Sequence, residues 1–419
     1  MHRVHARAAS RARPATGFVS QPEPRTIGHF ARGRQLVAGN FLFSGVLVEA
    51  KNAVIWDIAK DNDVVAEELQ GCAWLDDLAA VGDAKARACA QAWVAQWIVR
   101  FGNGRGLGWT PDLVGRRLIR WIQHGFFLLR GLEKDESQAF YRSLAQQTIF
   151  LSRRWHTSAQ GLPRFEALTG MIYAGLSLQG MEQHVAPAVK ALARDCTREI
   201  DDTGGIPTRN PEELLEVLTL LTWTTAALTE SGHQPPAAIA TAIARITPTL
   251  RALRHADGGL ARFHGGGRGL IGRLDHALAA AGDKTRPSEM LYMGYARLSG
   301  GRTSIVIDAA TPPTGPASVN AHASTLALEV TSGRRPLIVN CGSGRTFGED
   351  WRRAGRATPS HSTLCIEGYS SSRLGAQSRV VTSRQELLDD VPGFVQAEFS
   401  QLHDGKRIEL SHDGYRRTH

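Results

Sequence analysis

The sequence predicts a two-domain α+β protein in which a run of helical hairpins precedes an antiparallel β-domain. From Trp56 to about Gly282 the apolar residues recur with the helical period, and the breaks between the candidate helices are short. From Glu289 onward the period changes to two, which is typical of half-buried strands. Helices followed by strands, without alternation between them, indicate an α+β arrangement and not a parallel α/β sheet.

Length and composition agree with this organisation. The 419 residues exceed what one hydrophobic core usually serves. With 42% apolar and 21% charged residues, the composition is that of an ordinary globular protein. The formal net charge of +9 predicts attraction to polyanions such as nucleic acid, acidic glycans or anionic membrane surfaces. The loop glycines at 204–205 and 265–267 lack the strand-turn-helix context of a phosphate cradle, so no nucleotide site is predicted.

Residues 1–38 are predicted to form a basic, flexible arm, because the first 34 residues contain seven arginines and one glutamate. No apolar run follows this basic start, so the pattern does not predict a signal peptide. No segment approaches the roughly 20 apolar residues that span a bilayer. These observations favour a cytoplasmic protein without an integral membrane segment.

Residues 39–285 are predicted to form the helical domain, with short Gly, Pro or Asn breaks between helices. Thr110-Pro111 and Asn210-Pro211 are typical helix starts, with a capping residue followed by proline at the first helical position. The candidate helices cover 83–101, 111–130, 136–154, 163–180, 182–200, 211–231 and 235–255. Five scattered cysteines without a CxxC pair indicate buried thiols and neither a disulfide framework nor a zinc-thiolate site.

Residues 286–419 are predicted to form the β-domain, and their polar residues gather at strand ends. Strands are predicted over 324–330, 336–339 and 362–367, with Leu328 inward and Glu329 outward on the first. His322 and His361 each precede a strand, and Asn340 ends one. We expect these three side chains to converge at one end of the sheet.

Three runs in this domain resemble the sandwich domain of the heparinase II/III family of polysaccharide lyases. That family carries His-x-His-Ala-Asp, Val-Asp-x-Gly and Arg-x-Thr-x-x-His-Asn. The corresponding runs here are Asn-Ala-His-Ala-Ser at 320–324, Val-Asn-Cys-Gly at 339–342 and Arg-Ala-Thr-Pro-Ser-His-Ser at 356–362. The resemblance covers roughly residues 39–415 and implies an incomplete α/α toroid followed by an antiparallel β-sandwich. Because few strands fit before His419, we expect this sandwich to be incomplete at its C-terminal end.

The resemblance implies a carbon-oxygen lyase that cleaves an acidic, uronate-containing glycan by β-elimination. Such a reaction needs a group that neutralises the sugar carboxylate, a base and an acid. The family's proton-transfer histidine falls on Asn320, and its zinc ligands fall on His322, Asn340 and His361. An amide replaces one carboxylate there, so we expect zinc to be bound weakly and no cofactor to be required.

The candidate site residues follow from this resemblance and from the helix starts. The catalytic candidates are His361, Asn320 and Arg209, and the substrate-binding candidates are Arg209, Asn210 and Arg356. In the helical domain the sequence differs from the family pattern at two places. Leu162-Pro163 replace an Asn-His pair, and Leu214 lies near the position where the family has a tyrosine. His156, Tyr173 and His264 are alternative bases, although isolated His and Tyr residues on helices are more often structural.

Two other functions stay open. The first is a non-catalytic glycan-binding or envelope-assembly protein that keeps the architecture without the acid-base set. The second is a toroidal glycoside hydrolase, which requires two carboxylates such as Glu166 with Glu212 or Glu213. The expected partner is an anionic polysaccharide and not a nucleic acid. The resemblance places the protein in the cell envelope or periplasm, in conflict with the absence of a predicted signal peptide.

Overall fold

The computed structural model describes residues 1–11, 15–51, 53–59, 62–282, 291–380 and 383–415, with backbone only at 377–380 and 383–385. The described chain divides into two compact units. Unit 1 comprises Met1–Asp195 and Trp223–Ile239, and unit 2 comprises Cys196–Thr222 and Ala240–His419. The predicted domain boundary at residue 285 lies outside the described residues.

Helices dominate the first two thirds of the chain. Their bounds are α1 His2–Ala9, α2 Phe30–Val37, α3 Asp63–Gln70, α4 Trp74–Val81, α5 Ala84–Phe101, α6 Pro111–Gln123, α7 Gly125–Leu129, α8 Lys134–Arg154, α9 Leu162–Ser177, α10 Val185–Glu199, α11 Pro211–Glu230, α12 Ala237–Ala252, α13 Arg273–Ala281 and α14 Glu349–Gly355. Each of the seven predicted helices is present. The one predicted over 111–130 is divided into α6 and α7. The short helices α1 to α4 were not predicted, because eight residues are too few for a clear helical period.

Apart from a short hairpin at 40–49, the antiparallel strands follow helices α1 to α13, as the predicted fold class requires. The strands are β1 Asn40–Phe43, β2 Val46–Glu49, β3 Tyr295–Gly300, β4 Thr303–Asp308, β5 Leu328–Ser332, β6 Arg335–Ile338, β7 Arg373–Val380, β8 Ser383–Asp389, β9 Val395–Gln401 and β10 Lys406–His412. Strands β3 to β6 form one sheet in sequence order, while β1-β2, β7-β8 and β9-β10 are two-stranded. The predicted order of helices followed by an antiparallel β-region is confirmed.

Helix α11 begins as its sequence predicts. The side-chain oxygen Oδ1 of Asn210 accepts hydrogen bonds from the backbone N–H groups of Glu212 at 2.9 Å and Glu213 at 3.2 Å. These bonds satisfy two donors that have no partner within the helix. Asn210, a predicted substrate-binding residue, is therefore engaged as the helix cap.

The core of unit 1 is rich in tryptophan. Its buried indoles belong to Trp56, Trp74, Trp93, Trp97, Trp109, Trp121 and Trp223. The guanidinium carbon of Arg117, a fully buried residue, lies 3.9 Å from the Trp97 ring centroid. These rings form much of the core. The guanidinium of Arg117 lies among them and contacts an aromatic face and backbone carbonyl oxygens.

Helices α6 and α9 approach each other at two glycines. A Cβ atom built on Gly170 would lie 2.5 Å from the Cα of Gly115, and one on Gly115 would lie 2.3 Å from the carbonyl oxygen of Glu166. No side chain fits at these distances. The pair of glycines therefore determines how closely the two helices pack.

Two strand predictions in unit 2 are wrong. Residues 362–367 form a loop and not a third strand. On β5, Glu329 and Thr331 are buried, whereas Leu328 and Val330 are partly exposed, which reverses the predicted faces. Glu329 can lie inside because His255 Nε2 contacts its Oε2 at 2.8 Å. A buried carboxylate requires such a partner.

The remaining sequence expectations concern cysteines and membrane spans. All five cysteines are free thiols; Cys72 and Cys196 are buried, but Cys341 and Cys365 are exposed, in contrast to the prediction of buried thiols. Within the described ranges, no helix combines the length and the apolar character that a membrane crossing demands.

Candidate functional site

Asp308, at the end of β4, is the centre of a buried polar network in unit 2. Its carboxylate accepts hydrogen bonds from Arg209 Nη2 at 2.5 Å and from Ser324 Oγ at 2.8 Å, and His264 Nε2 lies 3.4 Å away. Burial alone would raise the pKa of Asp308, but the charge of Arg209 and the contact with His264 outweigh it and lower that pKa to about 2. The carboxylate is thus held in its ionised form.

Arg209 lies beneath this network with every donor of its guanidinium occupied. It is 9% exposed, and its guanidinium carbon lies 4.7 Å from the Tyr295 ring centroid. Besides Asp308, the acceptors are the carbonyl oxygens of Met293 at 3.0 Å, Gly294 at 2.9 Å, Ala310 at 3.2 Å and Thr311 at 2.8 Å. A guanidinium has five N–H donors, so none is left for a substrate carboxylate. The proposed role of Arg209 in catalysis and substrate binding stays a prediction, and the geometry favours a structural role.

The strand-end residues converge as expected. The His322 and His361 rings have centroids 5.1 Å apart, and Asn340 Oδ1 accepts a hydrogen bond from the Ser362 N–H at 3.1 Å. Burial and the neighbouring His361 lower the pKa of His322 well below its ordinary value. Burial and His264 lower the pKa of His361 to about 4. Both imidazoles are therefore neutral at pH 7.

These three residues do not form a convincing zinc site. His322 Nδ1 and both ring nitrogens of His361 are buried without a hydrogen-bond partner, as two metal ligands would be. The third side chain is the amide of Asn340, whose oxygen already accepts a hydrogen bond. In the described part of the chain no three His, Cys, Asp or Glu side chains are placed to hold a metal ion. A structural zinc requires about four nitrogen, sulfur or carboxylate donors, and this donor set does not supply them.

A small basic cavity opens beside the histidines, and we refer to it as the strand-end pocket. It is lined by Gly265, Asn320, His322, Ser343, Arg345, Arg352 and Arg356. Its volume of about 50 Å³ has room for one or two water-sized groups. A single carboxylate fits such a volume, but a sugar ring does not.

Two arginines of this pocket, Arg352 and Arg356, are held in place by backbone carbonyls. Arg356 donates to the carbonyl oxygens of Ser318, Ala321 and Glu386, each at 2.8 Å. Burial and the neighbouring Arg352 lower the pKa of Arg356 to about 10, so it remains charged at pH 7. Arg352 Nη2 contacts Asn320 Oδ1 at 3.3 Å. The side chain of Asn320 is therefore positioned by a cation and supplies no titratable group.

The alternative bases lie elsewhere. His156, in unit 1, is exposed, and its ring centroid lies 6.1 Å from that of Trp155. Tyr295 was not singled out from the sequence; its Oη donates to the Arg209 carbonyl oxygen at 2.5 Å, and burial raises the pKa of this tyrosine well above its ordinary value. In unit 1, Tyr173 Oη donates to the Trp223 carbonyl oxygen at 3.3 Å. His264 Nδ1 accepts from the His322 N–H at 3.2 Å. None of these groups lines the strand-end pocket.

The candidate carboxylates of a hydrolase are also engaged. Glu166, in unit 1, contacts Arg116 Nε at 2.6 Å. In unit 2, Glu212 Oε2 accepts from the Gly267 N–H at 2.8 Å and Glu213 Oε2 accepts from Thr208 Oγ1 at 2.8 Å. Burial raises the pKa of both glutamates of unit 2. The contacts of Glu212 and Glu213 are typical of residues in the first turn of a helix. The hydrolase assignment stays a prediction.

We expect the Asp308 network to make unfolding pH-dependent in acid. The folded-state pKa of about 2 lies below the ordinary value of 3.8, so the stabilisation is complete above pH 4 and is lost as the pH falls toward 2. The change is on the order of 2 kcal/mol. Urea unfolding of the wild type and of Asp308→Asn at pH 5 and pH 2.5 measures it. An equal loss of stability in the two proteins would contradict the assignment to Asp308.

Comparison with known proteins shows a similarity to one family model over the C-terminal third of the chain, and a shared fold. Residues 282–419 match the family model described as Heparinase II/III-like, C-terminal. Over 414 residues the chain is 29% identical to FtsZ-localized protein C of Caulobacter vibrioides. The alignment covers 96% of this chain and 69% of that protein.

Two solved structures illustrate the likeness in fold. The crystal structure of heparinase III matches with a TM-score of 0.70 at 12% identity. The match covers 97% of this chain and 72% of the heparinase III chain. A mutant of the heparan sulfate lyase HepC from Pedobacter heparinus has a TM-score of 0.54 at 14% identity, with coverages of 97% and 71%. At these identities the matches establish the architecture, an α/α toroid with a β-sandwich, and not the chemistry.

Proposed function

From the premise that this chain has the heparinase II/III fold, we propose that it is a non-catalytic envelope-assembly protein that uses the fold for binding. The observation that carries this proposal is the make-up of the strand-end pocket. Arg345, Arg352 and Arg356 supply positive charge there, while the position of the family's proton-transfer histidine holds Asn320. The pocket can attract a carboxylate but contains no exposed group to remove a proton.

β-Elimination needs more than attraction of an anion. A base must reach the proton beside the sugar carboxylate, within about 3 Å of it. In the strand-end pocket the remaining candidate is His322, which is 2% exposed and packed against His361. Asn320 has no titratable proton, and Arg209 has no donor left for the substrate. Binding of an acidic group is therefore better supported than its cleavage.

The curated relative supports the same conclusion from a different direction. Its likeness extends over 96% of this chain at more than twice the identity of the solved heparinase III structure. That protein is named for its localisation with FtsZ. We infer that this chain also associates with FtsZ, and that its strand-end pocket holds a carboxylate-bearing partner in that assembly.

The lyase remains the second candidate, and its support is the fold shared with heparinase III and a heparan sulfate lyase. One assay separates it from the first. The purified protein is incubated with heparan sulfate, chondroitin, hyaluronan or alginate, and the ultraviolet absorbance of an unsaturated uronate is followed. We expect a flat trace beside an active heparinase III. A rise that His361→Ala abolishes would establish β-elimination and overturn the non-catalytic proposal.

A second assay tests the association itself. FtsZ filaments are sedimented with the protein, and we expect it in the pellet. The double variant Arg345→Ala, Arg352→Ala should weaken this association by roughly tenfold, about 1.4 kcal/mol. Arg302→Ala, at an exposed arginine between β3 and β4, is the control and should sediment as the wild type does. A wild-type protein that stays in the supernatant would refute the association.

A further inference from the structure

A second and larger cavity lies in unit 2 at the end of α12, and we refer to it as the α12 pocket. Its volume is about 410 Å³, within the range of small-molecule sites. Its principal lining residues are Arg251, Arg254, His255, Asp275, Leu278 and Arg297. None of them lines the strand-end pocket, and none matches a residue that the sequence singled out.

Positive charge exceeds negative charge in this cavity. Among the described lining residues three are arginines and one, Asp275, carries a carboxylate, which contacts Arg254 Nη2 at 2.8 Å. The imidazole of His255 is held in the wall by Glu329 and by Thr331 Oγ1 at 3.0 Å. In the part of the lining that the structure describes, guanidiniums therefore outnumber carboxylates by three to one.

The guanidiniums of this cavity bring like charges together. Arg254 and Arg297 both line it, and their cationic side chains lie on adjoining segments of the wall. Arg297 Nη1 is fixed by the carbonyl oxygens of Ala252 at 2.9 Å and Arg254 at 2.8 Å. Burial and the charge of Arg254 lower the pKa of Arg297, which indicates that these cations repel each other. An anion between them would relieve the repulsion.

We propose that the α12 pocket binds a phosphate-bearing ligand between Arg251, Arg254 and Arg297. A carboxylate is satisfied by one guanidinium fork, whereas a phosphate has three or more acceptor oxygens and a charge near −2 at pH 7. Three arginines around one cavity match the second ligand better. The phosphate belongs either to a soluble phosphomonoester or to a lipid headgroup, and both present the same group to the pocket.

The test uses the full chain and defined probes. Inorganic phosphate and glycerol 3-phosphate are titrated calorimetrically at constant ionic strength, with chloride as the balancing anion. Flotation is measured with vesicles of phosphatidylglycerol in phosphatidylcholine and with phosphatidylcholine alone. The variants are Arg254→Gln and, separately, Arg251→Gln. Arg245→Gln is the matched control, because Arg245 lies on α12 as Arg251 does, has an exposed fraction similar to that of Arg254, and pairs with the exposed Asp202.

We expect saturable binding of a phosphate probe that falls at least tenfold in each pocket variant and is unchanged in the control. Binding of glycerol 3-phosphate without flotation identifies a soluble phosphomonoester. Flotation that requires phosphatidylglycerol and Arg254 identifies a lipid headgroup. Absence of binding to every probe, or binding that both pocket variants retain in full, overturns the proposal. Thermal melting without ligand shows that each variant is folded, and two independent variants keep the test valid if one is not.

Discussion

Replacement of Arg209 by alanine is expected to lower the free energy of unfolding by about 3–5 kcal/mol. The substitution leaves Asp308, which is 0% exposed, without its cation and removes the donors of four backbone carbonyls. A buried charge without a partner is among the most destabilising changes in a folded protein. Urea unfolding of the ligand-free protein at pH 7 measures the loss.

The control for this prediction is Arg245→Ala in the same unit. Arg245 pairs with Asp202, whose side chain is 92% exposed, at 2.7 Å. Exposed pairs contribute about 0–1 kcal/mol. Arg209→Lys tests the geometry, since lysine keeps the charge without the planar fork, and we expect an intermediate loss. If Arg209→Ala unfolds no more easily than Arg245→Ala, Arg209 is not structural and its predicted role in substrate binding regains support.

Replacement of Gly170 by alanine is expected to destabilise the protein by about 2–3 kcal/mol, through overpacking between α6 and α9. The new Cβ would lie 2.5 Å from the Cα of Gly115 and 2.7 Å from its carbonyl oxygen, so backbone and not a flexible side chain must move. The higher helix propensity of alanine, about 1 kcal/mol, acts in the opposite direction. The sign of the measured change therefore reports which effect is larger.

Thermal and urea unfolding of Gly170→Ala measure this change, with Gly17→Ala as the control. A Cβ on Gly17 has no neighbour within 4 Å, so that variant should stay within about 0.5 kcal/mol of the wild type. A Gly170→Ala protein as stable as the wild type would mean that the separation of α6 and α9 costs no more than the roughly 1 kcal/mol that alanine gains in helix propensity, and would contradict the prediction.

The two pockets differ in how far the sequence could reveal them. His322, Asn340, Asn320 and Arg356 of the strand ends were found because they lie within motif-like runs next to recognisable strands. The α12 pocket gave no such signal. The sequence around Arg251 and Arg254 is typical of the basic C-terminal end of a helix. Arg297 lies on a strand, more than 40 residues later in the sequence. Their convergence depends on tertiary packing, which no local pattern reports.

The sequence by itself determined the helices, their caps and the order of helices before strands. These features depend on interactions within a few residues, such as the bonds from Asn210 to the first turn of α11. Only the tertiary structure decided which face of β5 is buried. Alternation shows that two faces differ, but Glu329 lies inside because His255, 74 residues earlier, contacts its carboxylate at 2.8 Å. In the same way Arg209 donates a hydrogen bond to Asp308, which lies 99 residues later in the sequence. Because that carboxylate occupies the guanidinium, Arg209 is not available to a ligand.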